Sequence, residues 1–406
     1  MKLTVDRLGH LGDGIAQGPE GPVYLQMVLP GEVIEAEVEG DQGRGVKIVT
    51  PSTDRVAAPC RHYKSCGGCS LQHASDAFVA EFKTNVVRRA LEARGIKTEV
   101  EALHTSPPQS RRRATLSARR TKSGAMVGFH GRASDVLTEI PDCKLLRPEL
   151  LALMPVLKQI TALGGSRSAE VSLSLALTET GPDLAATGAK PVDPKIIGGV
   201  ASAAAGHIAR VTWNGETLAL DRAPKVRMGQ ALVPMPPGAF MQATSAGEAA
   251  LLDAVRRYVG DAARVVDLFA GMGTFSLPLA EKAEVHAVEG SKELMAALDQ
   301  GWRSAPGLKR VTTETRDLFR RPLDGDELKS FDAAVIDPPR AGAEAQCAAL
   351  GASKLKRIAM VSCNPVTFAR DAEILIAAGF ALDHLEVIDQ FRWSAHVELA
   401  ACFTRG

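Results

Sequence analysis

From about residue 245 onward the chain alternates short apolar runs with helix-like stretches, and a chemically equipped turn follows each run. Val265-Val266-Asp267-Leu268-Phe269 leads into Ala270-Gly271-Met272-Gly273-Thr274, and Glu284-Val285-His286-Ala287-Val288 ends at Glu289-Gly290. A third run ends near Arg316-Asp317, and Phe331-Asp332-Ala333-Ala334-Val335-Ile336 closes on Asp337-Pro338-Pro339-Arg340. The fifth, Ile358-Ala359-Met360-Val361, passes through Ser362 and Cys363 to Asn364-Pro365. Continuous apolar strands separated by helices are the pattern of a parallel sheet covered on both faces. Right-handed crossovers bring the carboxyl ends of such strands to one rim, where open α/β sheets bind ligands. Gly271, Glu289, Asp317, Asp337 and Cys363 are therefore expected side by side.

The residue types at that rim narrow the chemistry. Gly271-x-Gly273 lets backbone approach a ligand closely, and Glu289, 22 positions after Asp267, stands where an acid binds ribose hydroxyls. A dinucleotide fingerprint needs a third glycine where Ser276 stands, so S-adenosylmethionine is expected rather than a pyrophosphate-bearing cofactor. Pro365 suits the first turn of a helix, and Cys363 just before it would feel a helix field that favours thiolate. A lone cysteine in such a turn is otherwise a small buried hydrophobe. Asp337-Pro338-Pro339-Arg340 resembles the Asp-Pro-Pro-Tyr turn of amino-group methyltransferases, which need no thiol. A thiolate beside a methyl donor implies covalent activation of a carbon that is not nucleophilic by itself, as when addition at uracil C6 activates C5. A base must then take the C5 proton. Ala395 to Phe403 reads as a late strand whose one acid is Glu398, and burial would raise its pKa toward the working pH. A charge at a strand end is the plainer alternative for Glu398. His396, read on the same strand face, would support it.

The first half reads differently. Residues 1–56 set Gly-rich turns between short alternating strands, the pattern of a small OB-like β-barrel. Residues 57–240 read as a central α+β domain, and 145–240 shows no chemistry of its own. Seven cysteines make an odd count, and Cys60, Cys66 and Cys69 flank Gly67-Gly68 in a loop that can wrap a compact inorganic centre, with Cys143 as the candidate fourth ligand. Structural zinc suits four thiolates equally. His62 and His73 could substitute as ligands, but are expected to face solvent. Along Arg111 to Arg120 the alternation puts Ala114, Leu116 and Ala118 inward and Arg113, Thr115, Ser117 and Arg119 outward. That stripe matches a phosphate backbone or a solvated edge strand. With a formal charge of +1, any polyanion must be met by such local gathering. No apolar run has the length of a signal peptide core or a membrane span, so a soluble, cytoplasmic protein is expected.

At these residues the chain resembles the S-adenosylmethionine-dependent RNA uracil-5-methyltransferases, in particular the iron–sulfur branch acting on 23S ribosomal RNA. The likeness runs through the amino-terminal barrel (similar to a TRAM domain), Cys60-x5-Cys66-Gly-Gly-Cys69, Phe240-Met241-Gln242, Asp267-Leu268-Phe269, Asp337-Pro338-Pro339-Arg340-Ala341-Gly342, Ser362-Cys363-Asn364-Pro365 and His396-Val397-Glu398. The resemblance implies a Rossmann-like methyltransferase domain over 241–406, Cys363 as nucleophile and Glu398 as proton acceptor. It implies that Gln242, Phe269, Thr274, Glu289, Asp317 and Asp337 line the methyl donor, and that Cys60, Cys66, Cys69 and Cys143 hold a [4Fe-4S] cluster. The implied partner is ribosomal RNA, with transfer RNA as the alternative, and the implied state is a monomer. Thr274 stands where the family usually has Asn, as does Thr244, and Arg392-Trp393-Ser394-Ala395 replaces its more usual Pro-x-Thr-Gly. A non-catalytic RNA-binding or assembly factor is the reading from another class, and the Cys363 and Glu398 pair argues against it.

Overall fold

The computed structural model describes residues 1–406. Five strands between Lys2 and Thr50 close into a barrel around Leu3, Val5, Ala16, Val23, Leu25, Val28, Ile34 and Ala36, as the alternation predicts. Its first loop reaches away from the barrel: a Cβ at Gly12 (φ +89°) would stand 3.4 Å from Ser70 Oγ and 3.5 Å from the Ala395 Cβ. The barrel thus leans on the cysteine loop and on the segment that leads to Glu398.

A seven-stranded sheet forms the central domain, with Arg113–Arg120 between Val171–Thr178 and Ala125–His130. The basic strand is therefore an interior strand, and the edge-strand alternative falls. Helices Met154–Gly164 and Pro194–Ala204 bury their apolar faces with this sheet in one cluster around Leu157, Ile160, Val200 and Trp213.

The carboxyl-terminal sheet has eight strands. Val311–Thr315, Glu284–Glu289, Arg264–Leu268, Ala333–Ile336 and Arg357–Ser362 lie in that order and all run parallel. The order reverses between Arg264–Leu268 and Ala333–Ile336, which opens a crevice at the carboxyl ends. Beyond Arg357–Ser362, Glu398–Thr404 pairs antiparallel, then Ala381–Asp389 pairs antiparallel in turn. The last strand, Ala102–Thr105, joins parallel to Ala381–Asp389 from far upstream. Helix Asp76–Glu92, capped by Ser75 Oγ accepting from Phe78 N at 3.1 Å, buries Val87 and Leu91 in the same apolar cluster as Phe368 and Leu375 of helix Pro365–Ala377. Two elements placed before residue 240 are thus built into the body that follows it. No helix is long and apolar enough to cross a membrane.

Candidate active site

Each rim group follows from local backbone. Asn364 accepts from Val366 N at 3.1 Å and Pro365 fills the first helical position, so strand Arg357–Ser362 turns into helix Pro365–Ala377 with Cys363 at the corner, half-buried. Phe269, at φ +61°, turns the chain after Arg264–Leu268, and Gly271 N donates to Glu289 Oε2 at 3.2 Å. Ser291 N donates to Glu289 Oε1 at 3.1 Å, so two backbone N–H groups orient this carboxylate. Asp317 is exposed and accepts from Phe319 N and Arg320 N at 3.0 and 3.3 Å. Asp267 does not reach the crevice. It is wholly buried and accepts from Ser276 Oγ at 2.5 Å, and burial pushes its pKa up to about 7. It anchors the glycine turn beneath the site.

One cavity of about 1040 Å³ gathers these groups. Cys363, Glu398, Gln242, Phe269, Thr274, Glu289, Asp317 and Asp337 all line it. Half-exposed Phe240 and Phe319 stand at its mouth. Its size suits a nucleoside-sized donor with a flipped base beside it.

The electrostatics depart from one expectation. Burial pushes the Cys363 thiol up, and the carboxyls of Glu398 and Asp337 push it further, while Arg340 pulls the other way. The helix field does not leave a thiolate at rest, because desolvation and two neighbouring acids outweigh it. Burial raises Glu398 to about 7, against a hydrogen bond from Gln390 and the charge of Arg113. Asp337 is raised to about 7 by burial and then by Glu398. Glu398 is 5% exposed and opens strand Glu398–Thr404, so the strand-end position and the buried acid are both real. His396 lies before that strand, exposed, with its ring edge-on to Phe391 at 5.7 Å. It is not on a shared strand face.

The basic run splits. Arg111 and Arg113 line the cavity, Arg113 with its guanidinium 4.3 Å above the Phe240 ring and its buried Nε without a partner. Arg112 is buried and bound to Glu248 and to the Gln242 carbonyl at 3.0 Å, so it braces the domain junction. Arg119 shares Glu170 with His130, which partly neutralises the outward stripe.

Four cysteines make a second centre. Cys60, Cys66, Cys69 and Cys143, each under one-tenth exposed, line one small void with Tyr63, Phe129, Ile140 and Leu145. No disulfide joins them. Gly68 N and Leu145 N each donate to sulfur, of Cys66 and Cys143, at 3.4 Å. Burial pushes Cys69 up to about 12, with Cys143, Cys66 and Cys60 adding to it. No group of three or more His, Cys, Asp or Glu side chains, this one included, is close enough together to hold a metal ion as it stands. His73 does not face solvent. It is 3% exposed, bonded to Tyr63 Oη at 2.6 Å and Val28 O at 3.2 Å, and His62 is bound to Asp142 at 2.8 Å.

The two centres touch. Gly68 and Phe129 line both, and Ser70 N and Leu71 N donate to the Trp393 carbonyl at 2.7 and 2.9 Å. Lys83, fully buried on helix Asp76–Glu92, binds the Asp389 carboxylate and the Phe391 carbonyl. The loop from Gln390 to Glu398 is therefore pinned at its start and near its middle. Gln390 and Lys83 carry no signal in periodicity or spacing.

Residues 230–405 match the description tRNA (Uracil-5-)-methyltransferase. An uncharacterized RNA methyltransferase of Rhizobium meliloti (strain 1021) is 45% identical over 98% of each chain. The 23S rRNA (uracil(1939)-C(5))-methyltransferase RlmD of Halomonas elongata is 32% identical, over 98% of this chain and 88% of its own. Among solved structures, the Pyrococcus abyssi tRNA (uracil-54, C5)-methyltransferase in complex with S-adenosyl-L-homocysteine superposes with a TM-score of 0.76 at 21% identity, covering 100% of this chain and 99% of its own. This chain is an RNA methyltransferase and belongs to the tRNA (uracil-5-)-methyltransferase family.

Proposed function

We propose that the protein methylates C5 of a uridine in RNA, with 23S ribosomal RNA as substrate. The observation that carries this reading is the meeting of Cys363, Glu398 and Asp337 in one cavity with the Gly271, Glu289 and Asp317 rim. When bound along that rim, S-adenosylmethionine would supply an electrophilic methyl group and leave as the neutral thioether, S-adenosylhomocysteine. Glu289 and Asp317 present carboxylates to a nucleoside, and Phe269 and Phe319, 5.4 Å apart, offer apolar ring surface. Cys363 gives its thiol proton to one of the two carboxyls beside it, Asp337 or Glu398, as Sγ bonds to uracil C6, and the electron pair displaced to C5 makes that carbon nucleophilic. Once C5 carries the methyl group, Glu398 takes its proton, the C6–S bond breaks, and the thiolate is restored. Both raised acids favour this course: Glu398 near neutrality accepts a proton and later releases it to solvent, and Asp337 hydrogen-bonds a base without a fixed second charge.

Four thiols lining one void, with backbone N–H donors on two sulfurs, have the donor chemistry of a [4Fe-4S] cluster, and structural zinc would take the same four thiolates. When bound, the cluster supplies metal–thiolate bonds that tie the 60–69 loop to Cys143.

The test is Cys363→Ala. Covalent RNA adduct and turnover should vanish while S-adenosylmethionine still binds; full activity would end the proposal. An amino-group methyltransferase built on Asp337-Pro338-Pro339 would instead tolerate Cys363→Ser. Mapping 5-methyluridine by mass in ribosomal and transfer RNA from a deletion strain decides between the two RNAs. The relative named for 23S RNA favours the first.

A further inference from the structure

A primary amide has a carbonyl that accepts and an NH2 that donates twice, and burial obliges it to use them. Gln390 is 1% exposed. Thr244 N donates to its Oε1 at 3.2 Å. A backbone N–H is always a donor, so the polarity of the Gln390 amide is fixed from that end. Its Nε2 then donates to Glu398 Oε2 and to Gln242 Oε1, the latter at 2.7 Å. The polarity passes on: Gln242 uses its carbonyl on Gln390, lines the cavity, and donates its own Nε2 to nothing in the protein.

Packing locks the arrangement. A Cβ at Gly247 would fall 2.1 Å from Gln390 Cγ and 2.6 Å from its Cδ, so helix Ser245–Val259 has glycine where Gln390 lies against it. Thr244 caps that helix by accepting from Gly247 N at 3.0 Å and shares a 2.7 Å hydrogen bond with Ser106. Close packing holds the side chain in place, and a turned-over amide would set its NH2 against the Thr244 N–H.

We infer that Gln390 is a positioning residue that aims the Glu398 carboxylate and holds the Gln242 amide with its N–H groups toward the ligand. The inference rests on the uridine C5 reading. One N–H on Oε2 stabilises the carboxylate in dry surroundings and leaves Oε1 as the atom that takes the proton. Gln242, offering donors alone, faces an acceptor such as a pyrimidine carbonyl oxygen; an exocyclic amine there would set N–H against N–H. The other charged groups around Glu398 are Arg113 from the central sheet, Lys83 from helix Asp76–Glu92, Asp389, Asp337 and Cys363.

The experiment measures methyl transfer to unmodified transcribed 23S ribosomal RNA, with unmodified transfer RNA in parallel, across pH. Gln390→Met keeps the length of the side chain and removes its donors and acceptor. Without the N–H, the Glu398 acid form gains, so the acid limb should move to higher pH by on the order of one unit, with methylated adduct accumulating because proton removal slows. Gln390→Asn, one methylene short of both partners, should do the same and decides the matter if the Met variant does not fold. Profiles that superimpose on wild type, or a rate lowered equally at every pH with no adduct, overturn the inference. If the wild-type protein makes no 5-methyluridine on either RNA, it is the proposed function that fails.

Discussion

Two cysteine-bearing centres lie side by side in this molecule and are built on opposite principles. Around Cys60, Cys66, Cys69 and Cys143 the walls are apolar, the void is only about 20 Å³, and four buried thiols line it. Around Cys363 the cavity is large, about 1040 Å³, with charged groups set among apolar ones, and one half-buried thiol faces two carboxyls, each raised to about 7. Burial raises the Cys66, Cys69 and Cys143 thiols, so they give up protons only to something that brings compensating positive charge, as a metal centre does. A single thiol beside titratable acids is poised for a step that moves one proton. The difference teaches that burial alone does not define a cysteine's role; what else is buried with it does.

That contrast can be broken by mutation. Cys363→Ala should lower turnover by at least about 10⁴-fold, as loss of a nucleophile does, with little change in thermal midpoint. Glu398→Gln should slow release by about 10²- to 10⁴-fold and trap RNA on the protein, read as a stable adduct on denaturing gels. In the wild type, the proposed base Glu398 can take a proton only when ionised, so the release rate should rise with pH through about 7 and fall below it. A rate flat across that range would remove Glu398 from the step. On the other side, Cys69→Ser should erase the brown absorption at about 400 nm of anaerobically purified protein and lower the thermal midpoint by roughly 5 °C or more. A colourless wild type containing zinc would sharpen the comparison into a different one. The smallest effect is expected for Arg119→Ala, which should lower the slope of log affinity for RNA against log salt by about 1 or less, because Glu170 already shares that charge.

The loop that joins the centres offers one more break. Lys83→Met would leave Asp389 buried without its cation, at about 3–5 kcal/mol of stability, read by denaturant unfolding. Its sign depends on the pair: Lys83→Met with Asp389→Leu together should recover much of the loss.

The alternation of apolar strands with helices from residue 264 placed five chemical groups on one rim, and the cavity holds all five. The barrel was legible for the same reason, since strand periodicity and turn residues are local properties. The interior place of Arg113–Arg120 was not, because alternation reports which face a residue takes and says nothing of how many neighbours a strand has.

By itself, then, the sequence determined the order of strands and helices, the positions of Cys363 and Glu398, and the grouping of the cysteine loop. Tertiary structure alone decided that Arg112 is a buried brace, that Ala102–Thr105 joins the last sheet, and that Gln390 reaches Gln242 across 148 positions of chain. Periodicity arises between near neighbours and is written locally, whereas the partner of a buried amide or ion is chosen by which distant backbones the fold brings within about 3 Å.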